Sequence, residues 1–182
     1  MVEIVEYKEL AMRTSPNGHD RVLNGCLGLI GESGEVVDII KKFTFQSGEN
    51  PEFPTDKMVE ECGDVLWYVA ELCAGLGLDA TSIYINGPFN YVPSFDSSLE
   101  KLGVLLASSS ARIAYCNLHG NSTETDDKNN LWAIVGIINS ILMFYCKTTL
   151  GACMDRNIEK LRKRYPDGFD PERSLHRAAE EA

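Results

Sequence analysis

The stretch Gly28–Lys42, "GLIGESGEVVDIIKK", decides how the chain is to be read. Its apolar residues Leu29, Ile30, Val36, Val37, Ile39 and Ile40 recur at helical spacing, so it forms an amphipathic helix with a buried face. Within that run stand two carboxylates, Glu32 and Glu35, one turn apart and roughly 60° apart around the axis. A buried unpaired charge costs several kcal/mol, about 3–5 once its partner is removed, so acids here need an explanation.

A second stretch supplies it. "MVEECGDVLWYVAEL", residues 58–72, repeats the arrangement with Glu61 and Asp64, again three apart and again among apolar residues such as Val59, Val65, Leu66 and Val69. If the two helices pair antiparallel, four carboxylates converge on one small volume. Only cations can neutralise such a set, and hard oxygen ligands select Mg²⁺ or Mn²⁺. A lone acid pair on a helix is ordinarily a solvated face paired with lysines; two embedded pairs on consecutive helices are not.

The glycines point the same way. Gly28 and Gly31 each cost the helix roughly 0.5–1 kcal/mol relative to Ala. They project near the acid side, where they make either a groove or a close helix crossing. Asn24, two turns before the acids, and Lys42, two turns after, share that side.

The rest of the chain keeps helical spacing, and no alternating segment competes with it. The chain is therefore expected to be all-α, an antiparallel helical bundle forming one domain over residues 1–182. A first helix covers about 3–13 and breaks at Pro16 and Gly18. Asp20 caps a helix to about Phe43, and Asp56 caps the next, from about Lys57 to Leu76. This acid-bearing pair spans 20–79. Residues 80–96, rich in Gly, Pro and aromatics, read as a linker or a packed crossover. Helices at about 97–118 and 126–148 complete an inserted region, 80–148. A basic helix, "GACMDRNIEKLRKRY", and a charged tail occupy 150–182.

Bulk properties exclude several functions. The 182 residues carry a formal net charge of −10, which argues against a nucleic acid polymer as partner, since that grip needs a basic surface. An anionic substrate then needs a metal or a local basic cluster. The six cysteines, Cys26, Cys62, Cys73, Cys116, Cys146 and Cys153, form no CxxC pair and read as reduced core thiols of a cytoplasmic protein. The start of the chain has no signal-peptide core. The most apolar run, "LWAIVGIINSILMFYC", falls short of the ~20 residues a membrane span needs. His19, His119 and His176 show no ligand spacing.

At these residues the chain resembles the MazG-like family of all-α nucleoside triphosphate pyrophosphohydrolases. The likeness rests on "GLIGESGEVVDIIKK", on the acid pair in "VEECGDVLWY", and on "NIEKLRKRYPDGF" near the C-terminus. Together they give ExxE, 25 intervening residues, ExxD, then Asn-xx-Lys-Leu. Gly31 stands where the family's longer signature often has a second glutamate, and about 70 residues separate the helix ending in "GLGLD" from the Asn-containing segment.

The resemblance implies that Glu32, Glu35, Glu61 and Asp64 ligate Mg²⁺, with Mn²⁺ as an alternative, and serve catalysis. The substrate would be a nucleoside triphosphate, hydrolysed at the α–β bond to the monophosphate and pyrophosphate, with Glu32 or Glu35 as general base. Asn24 would meet the sugar or base; Lys42, Asn157, Lys160 and Arg164, with neighbours Arg162 and Lys163, would meet phosphate. Trp67 and Tyr68 are expected in the core. A homodimer or homotetramer is also implied, and a catalytically silent nucleotide- or alarmone-binding protein is the rival function.

The inserted helices align with the acid pair. Setting "LGVLLASSSARIAYC" under "LGLIGESGEVVDII" and "IVGIINSILMFY" under "ECGDVLWYVAEL" matches Gly136 to Gly63. Ala107, Ser110, Ile134 and Ile137 then replace the acids. The insert is thus expected to be a degenerate second helix pair, as in dimeric dUTPases of the same superfamily.

Overall fold

The computed structural model describes residues 4–49, 51–93 and 97–172. Seven helices account for the regular structure of those residues, with no strand among them, as the periodicity requires. They are α1 (Ile4–Met12), α2 (Arg21–Phe45), α3 (Thr55–Leu76), α4 (Ala80–Asn90), α5 (Leu99–Leu118), α6 (Glu124–Phe144) and α7 (Leu150–Arg164). One cluster of buried apolar side chains draws on all seven. No helix among the described residues is long and apolar enough to cross a membrane.

Local chemistry sets most of the boundaries. Asp20 caps α2, its Oδ1 accepting from the Leu23 N–H at 3.0 Å. Gly77 ends α3 at φ 70°, the left-handed conformation glycine adopts without strain. Asp56 does not cap α3. The helix starts two residues earlier, at Thr55, with Pro54 at the cap position and no side-chain cap, and Asp56 reaches Arg156 of α7 at 2.7 Å instead.

The segment read as a connection contains α4, capped by Asp79, whose Oδ1 accepts from the Thr81 N–H at 3.0 Å. Gly87 and Pro88 mask it in the sequence, because both lower helix propensity. Tertiary contact decides against propensity here. Gly87 rests on Val135, and Gly136 lies under the Tyr91 carbonyl, where neither position leaves room for a Cβ.

Helices α2 and α3 pair closely along their lengths. Gly28 is a point of close approach, since a Cβ there would lie 2.0 Å from the Tyr68 ring, whereas Gly31 faces open space. The crossing explains the first glycine, and the groove only the second. On its other side α2 runs antiparallel to α5. Ser33 and Ser110 share a buried hydrogen bond of 2.8 Å at mid-helix, and Thr44 reaches Glu100 at 2.9 Å near one end.

The buried positions Gly25, Cys26, Leu29, Ser33 and Val36 of α2 recur as Leu102, Gly103, Leu106, Ser110 and Ile113 of α5, each 77 positions on. Burial therefore sets Ser109 and Arg112 opposite Glu32 and Glu35, two residues further along than the sequence alignment has it. In α6, Ile134, Val135 and Gly136 repeat the burial of Glu61, Cys62 and Gly63 in α3, and in that pair the sequence register stands. Helix α4 packs on α6 while α7 packs on α3, and α1 touches α3, α4 and α7.

Candidate metal centre

The antiparallel crossing of α2 and α3 brings acids from both helices together. One oxygen each from Glu32, Glu61 and Asp64 lies within 4.8 Å of the other two, and no other such group occurs among the described residues. Glu35 does not join them; it is exposed on the next turn of α2.

The electrostatics are those of a site short of positive charge. Burial, then the charges of Asp64 and Glu61, push the Glu32 carboxyl up to about 7, with Lys160 opposing. Two lysines carry part of the compensation. Lys57 Nζ lies 2.6 Å from Glu61, one helical turn away. Lys160 Nζ, from α7, lies 2.5 and 2.7 Å from the two oxygens of Asp64 and 3.3 Å from Glu60.

Asp64 is also held from below. Asn157 Nδ2 donates to Asp64 Oδ1 at 2.9 Å, and Asn157 Oδ1 accepts from the Tyr7 hydroxyl at 2.9 Å. Tyr7 is fully buried, and burial above all raises its pKa well above the usual phenol value, so it stays a neutral donor. Asn157, only 3% exposed, spends its amide on this chain of contacts. Three carboxylates with a carboxyl forced toward neutrality fit a hard divalent cation, which would relieve the mutual repulsion that raises Glu32.

A cavity of about 200 Å³ opens from this cluster. Glu32 and Asp64 stand on its wall, with Asn24 further along α2 and Arg164 on α7. Trp67, Tyr68, Tyr165 and Phe169 supply aromatic surface. Trp67 is at once the core residue expected, 9% exposed, with Nε1 donating to the Ala11 carbonyl and Thr14 Oγ1 at 3.0 Å each.

The structure thus places Asn24, Lys160 and Arg164 at the site and Asn157 behind it. Lys42 is elsewhere engaged, 2.6 Å from Asp38 on the exposed side of α2. His19 is no metal ligand but pairs with the buried Glu71; His176 lies outside the described residues. Sequence reasoning missed Lys57, whose i,i+4 spacing to Glu61 was a usable signal. It also missed Tyr7 and Tyr165, which no local pattern marks. All six cysteines are free thiols.

Carboxylates from two antiparallel helices, beside a cavity with basic and aromatic walls, define an all-α site that could hold a metal ion. Residues 23–102 match the family model of the MazG nucleotide pyrophosphohydrolase domain. This stretch, from α2 into the start of α5, is similar to that domain, and the all-helical fold is consistent with an all-α nucleoside triphosphate pyrophosphatase of the MazG type. The match includes α4, and α7 lies outside it although it contributes Asn157 and Lys160. No curated protein and no solved structure matches the chain.

Proposed function

We propose that the protein is a Mg²⁺-dependent nucleoside triphosphate pyrophosphohydrolase, cleaving the α–β bond to release a monophosphate and pyrophosphate. The observation that carries the proposal is the convergence of Glu32, Glu61 and Asp64 beside a cavity that Glu32 and Asp64 line, in a stretch similar to the MazG domain.

In this reading those three carboxylates hold the ion, which when bound supplies polarised phosphoryl oxygens and charge for the leaving pyrophosphate. Glu35, one turn on and outside the cluster, takes the proton of the attacking water as general base. Oxygen from that water bonds to the α-phosphorus as the bond from phosphorus to the α–β bridging oxygen breaks. Lys160 and Arg164 offer positive charge to the phosphates, and Asn157 keeps Asp64 in place. The buried Ile134 and Ile137 occupy the α6 positions that correspond to Glu61 and Asp64, so we propose α5 and α6 as a degenerate copy of the acid pair.

Self-association belongs to the same proposal. Leu23, Leu27 and Ile30 expose an apolar stripe on α2 that a second copy of the chain would cover, and sedimentation reads this directly.

A panel of purine and pyrimidine triphosphates, assayed for pyrophosphate release with Mg²⁺ and with chelator, tests the activity. Release from at least one nucleotide, lost with chelator, is expected. Silence across the panel would favour a nucleotide-binding protein without turnover.

A further inference from the structure

Glu71, on α3, is fully buried and carries no role in the metal site. Four side chains converge on its carboxylate. Arg21 donates at 3.0 Å, Ser15 at 2.8 Å and Asn24 Nδ2 at 3.3 Å, and His19 Nε2 pairs with the same oxygen as Asn24. A carboxylate that takes hydrogen bonds from Arg21 and Ser15 acts as an acceptor. The amide of Asn24 therefore has one sensible orientation, nitrogen toward Glu71. Its carbonyl oxygen takes none of these contacts, and Asn24 lines the cavity.

Distance along α2 says what part of a ligand that oxygen meets. Asn24 and Glu32 are eight residues apart on one helix, about 12 Å at 1.5 Å per residue. That is the reach from an α-phosphate at the carboxylates, past the sugar, to the far edge of a base. Trp67, Tyr68, Tyr165 and Phe169 line the same cavity and provide faces for an aromatic ring.

We infer that Glu71 positions Asn24 as a fixed hydrogen-bond acceptor, and that the cavity selects nucleotides whose base presents an N–H donor on its pairing edge. This rests on the nucleotide reading above and adds the feature of the base that is recognised. Glu71 is a positioning residue, acting through Asn24.

The test measures binding rather than turnover. Calorimetry with Mg²⁺ compares α,β-imido deoxynucleoside triphosphates in matched pairs: uracil with N3-methyluracil, cytosine with N4,N4-dimethylcytosine, adenine with N6,N6-dimethyladenine. At least one uncapped analogue should bind about tenfold tighter than its capped partner. The Asn24→Ala variant should lose that preference while binding imidodiphosphate as the wild type does. Glu71→Gln should also lose it, because a glutamine can donate to Asn24 and let its amide turn. If Glu71→Gln does not fold, Glu71→Asp, which withdraws the carboxylate by one methylene, carries the same expectation.

Equal binding of capped and uncapped analogues overturns the inference, as does a preference that survives in Asn24→Ala, which marks steric exclusion. A preference retained in the folded Glu71 variant overturns the positioning role. Wild-type turnover without discrimination leaves the proposed activity standing alone. Discrimination without turnover leaves the inference standing and removes the activity, and failure of every analogue to bind removes both.

Discussion

Asn157 donates to Asp64 across the interface of α7 and α3, at 2.9 Å. The two residues are 93 positions apart, and the contact fixes the orientation of a carboxylate that belongs to the acidic cluster. Partners of this kind typically change metal affinity 10–100-fold when removed. Asn157→Ala should therefore weaken Mg²⁺ binding by about that factor, read as the Mg²⁺ concentration needed to raise the melting midpoint. Tyr7→Phe, which leaves the Asn157 carbonyl buried without its donor, should cost about 1–3 kcal/mol of stability. An unchanged Mg²⁺ dependence in Asn157→Ala would remove Asn157 from the site.

The metal-free protein should lose stability as pH rises. Glu32 keeps its proton up to about 7 in the folded chain, against an ordinary value of 4.5. Between those values the folded state binds more protons than the unfolded one, so stability is greatest at low pH and falls through this window. Melting in chelator from about pH 5 to about pH 8 should show the decline, and Glu32→Gln should flatten it and melt higher at the alkaline end. A Glu32→Gln protein with the wild-type slope assigns the decline to other groups.

Gly28 and Gly31, both ahead of Glu32 on α2, should respond oppositely to alanine. At Gly28 a Cβ would lie 2.0–2.4 Å from atoms of the Tyr68 ring, so the ring must move. Overpacking of this kind costs about 1–3 kcal/mol, and because Tyr68 lines the cavity, ligand affinity should fall too. At Gly31 nothing lies within 4 Å, and alanine should stabilise the helix by about 0.5–1 kcal/mol. Thermal melting of the two variants decides between a packed crossing and an open groove at each position.

What the sequence made legible is what periodicity and spacing encode. Glu32, Glu61 and Asp64 were found because two acid pairs stand at helical spacing in apolar runs, and the all-α bundle followed from the same periodicity. Glu35 looked equivalent to Glu32 by spacing alone. Its exposure follows from how far around α2 the partner helix reaches, which only packing settles. Helix α4 hid behind Gly87 and Pro88, since its stability comes from contact with α6 and local propensity is low. Tyr7 and Glu71 were invisible for a related reason: their partners lie 150 and about 50 positions away, and no short motif records such pairings.

The α2 and α5 pairing carries its own test. Ser33 and Ser110, 1% and 0% exposed, satisfy each other at the middle of the antiparallel contact. Replacing one by alanine leaves the other hydroxyl buried without its partner, at a cost of about 1–3 kcal/mol. Replacing both removes two polar groups together, so the double variant should be more stable than either single one. The coupling measured by this cycle should be about 0.5–3 kcal/mol and favourable to the pair. Additive losses in Ser33→Ala and Ser110→Ala would mean that the two helices do not meet there. The 77-residue correspondence between their buried faces would then lose its centre, and with it the argument that α5 and α6 descend from the acid-bearing pair.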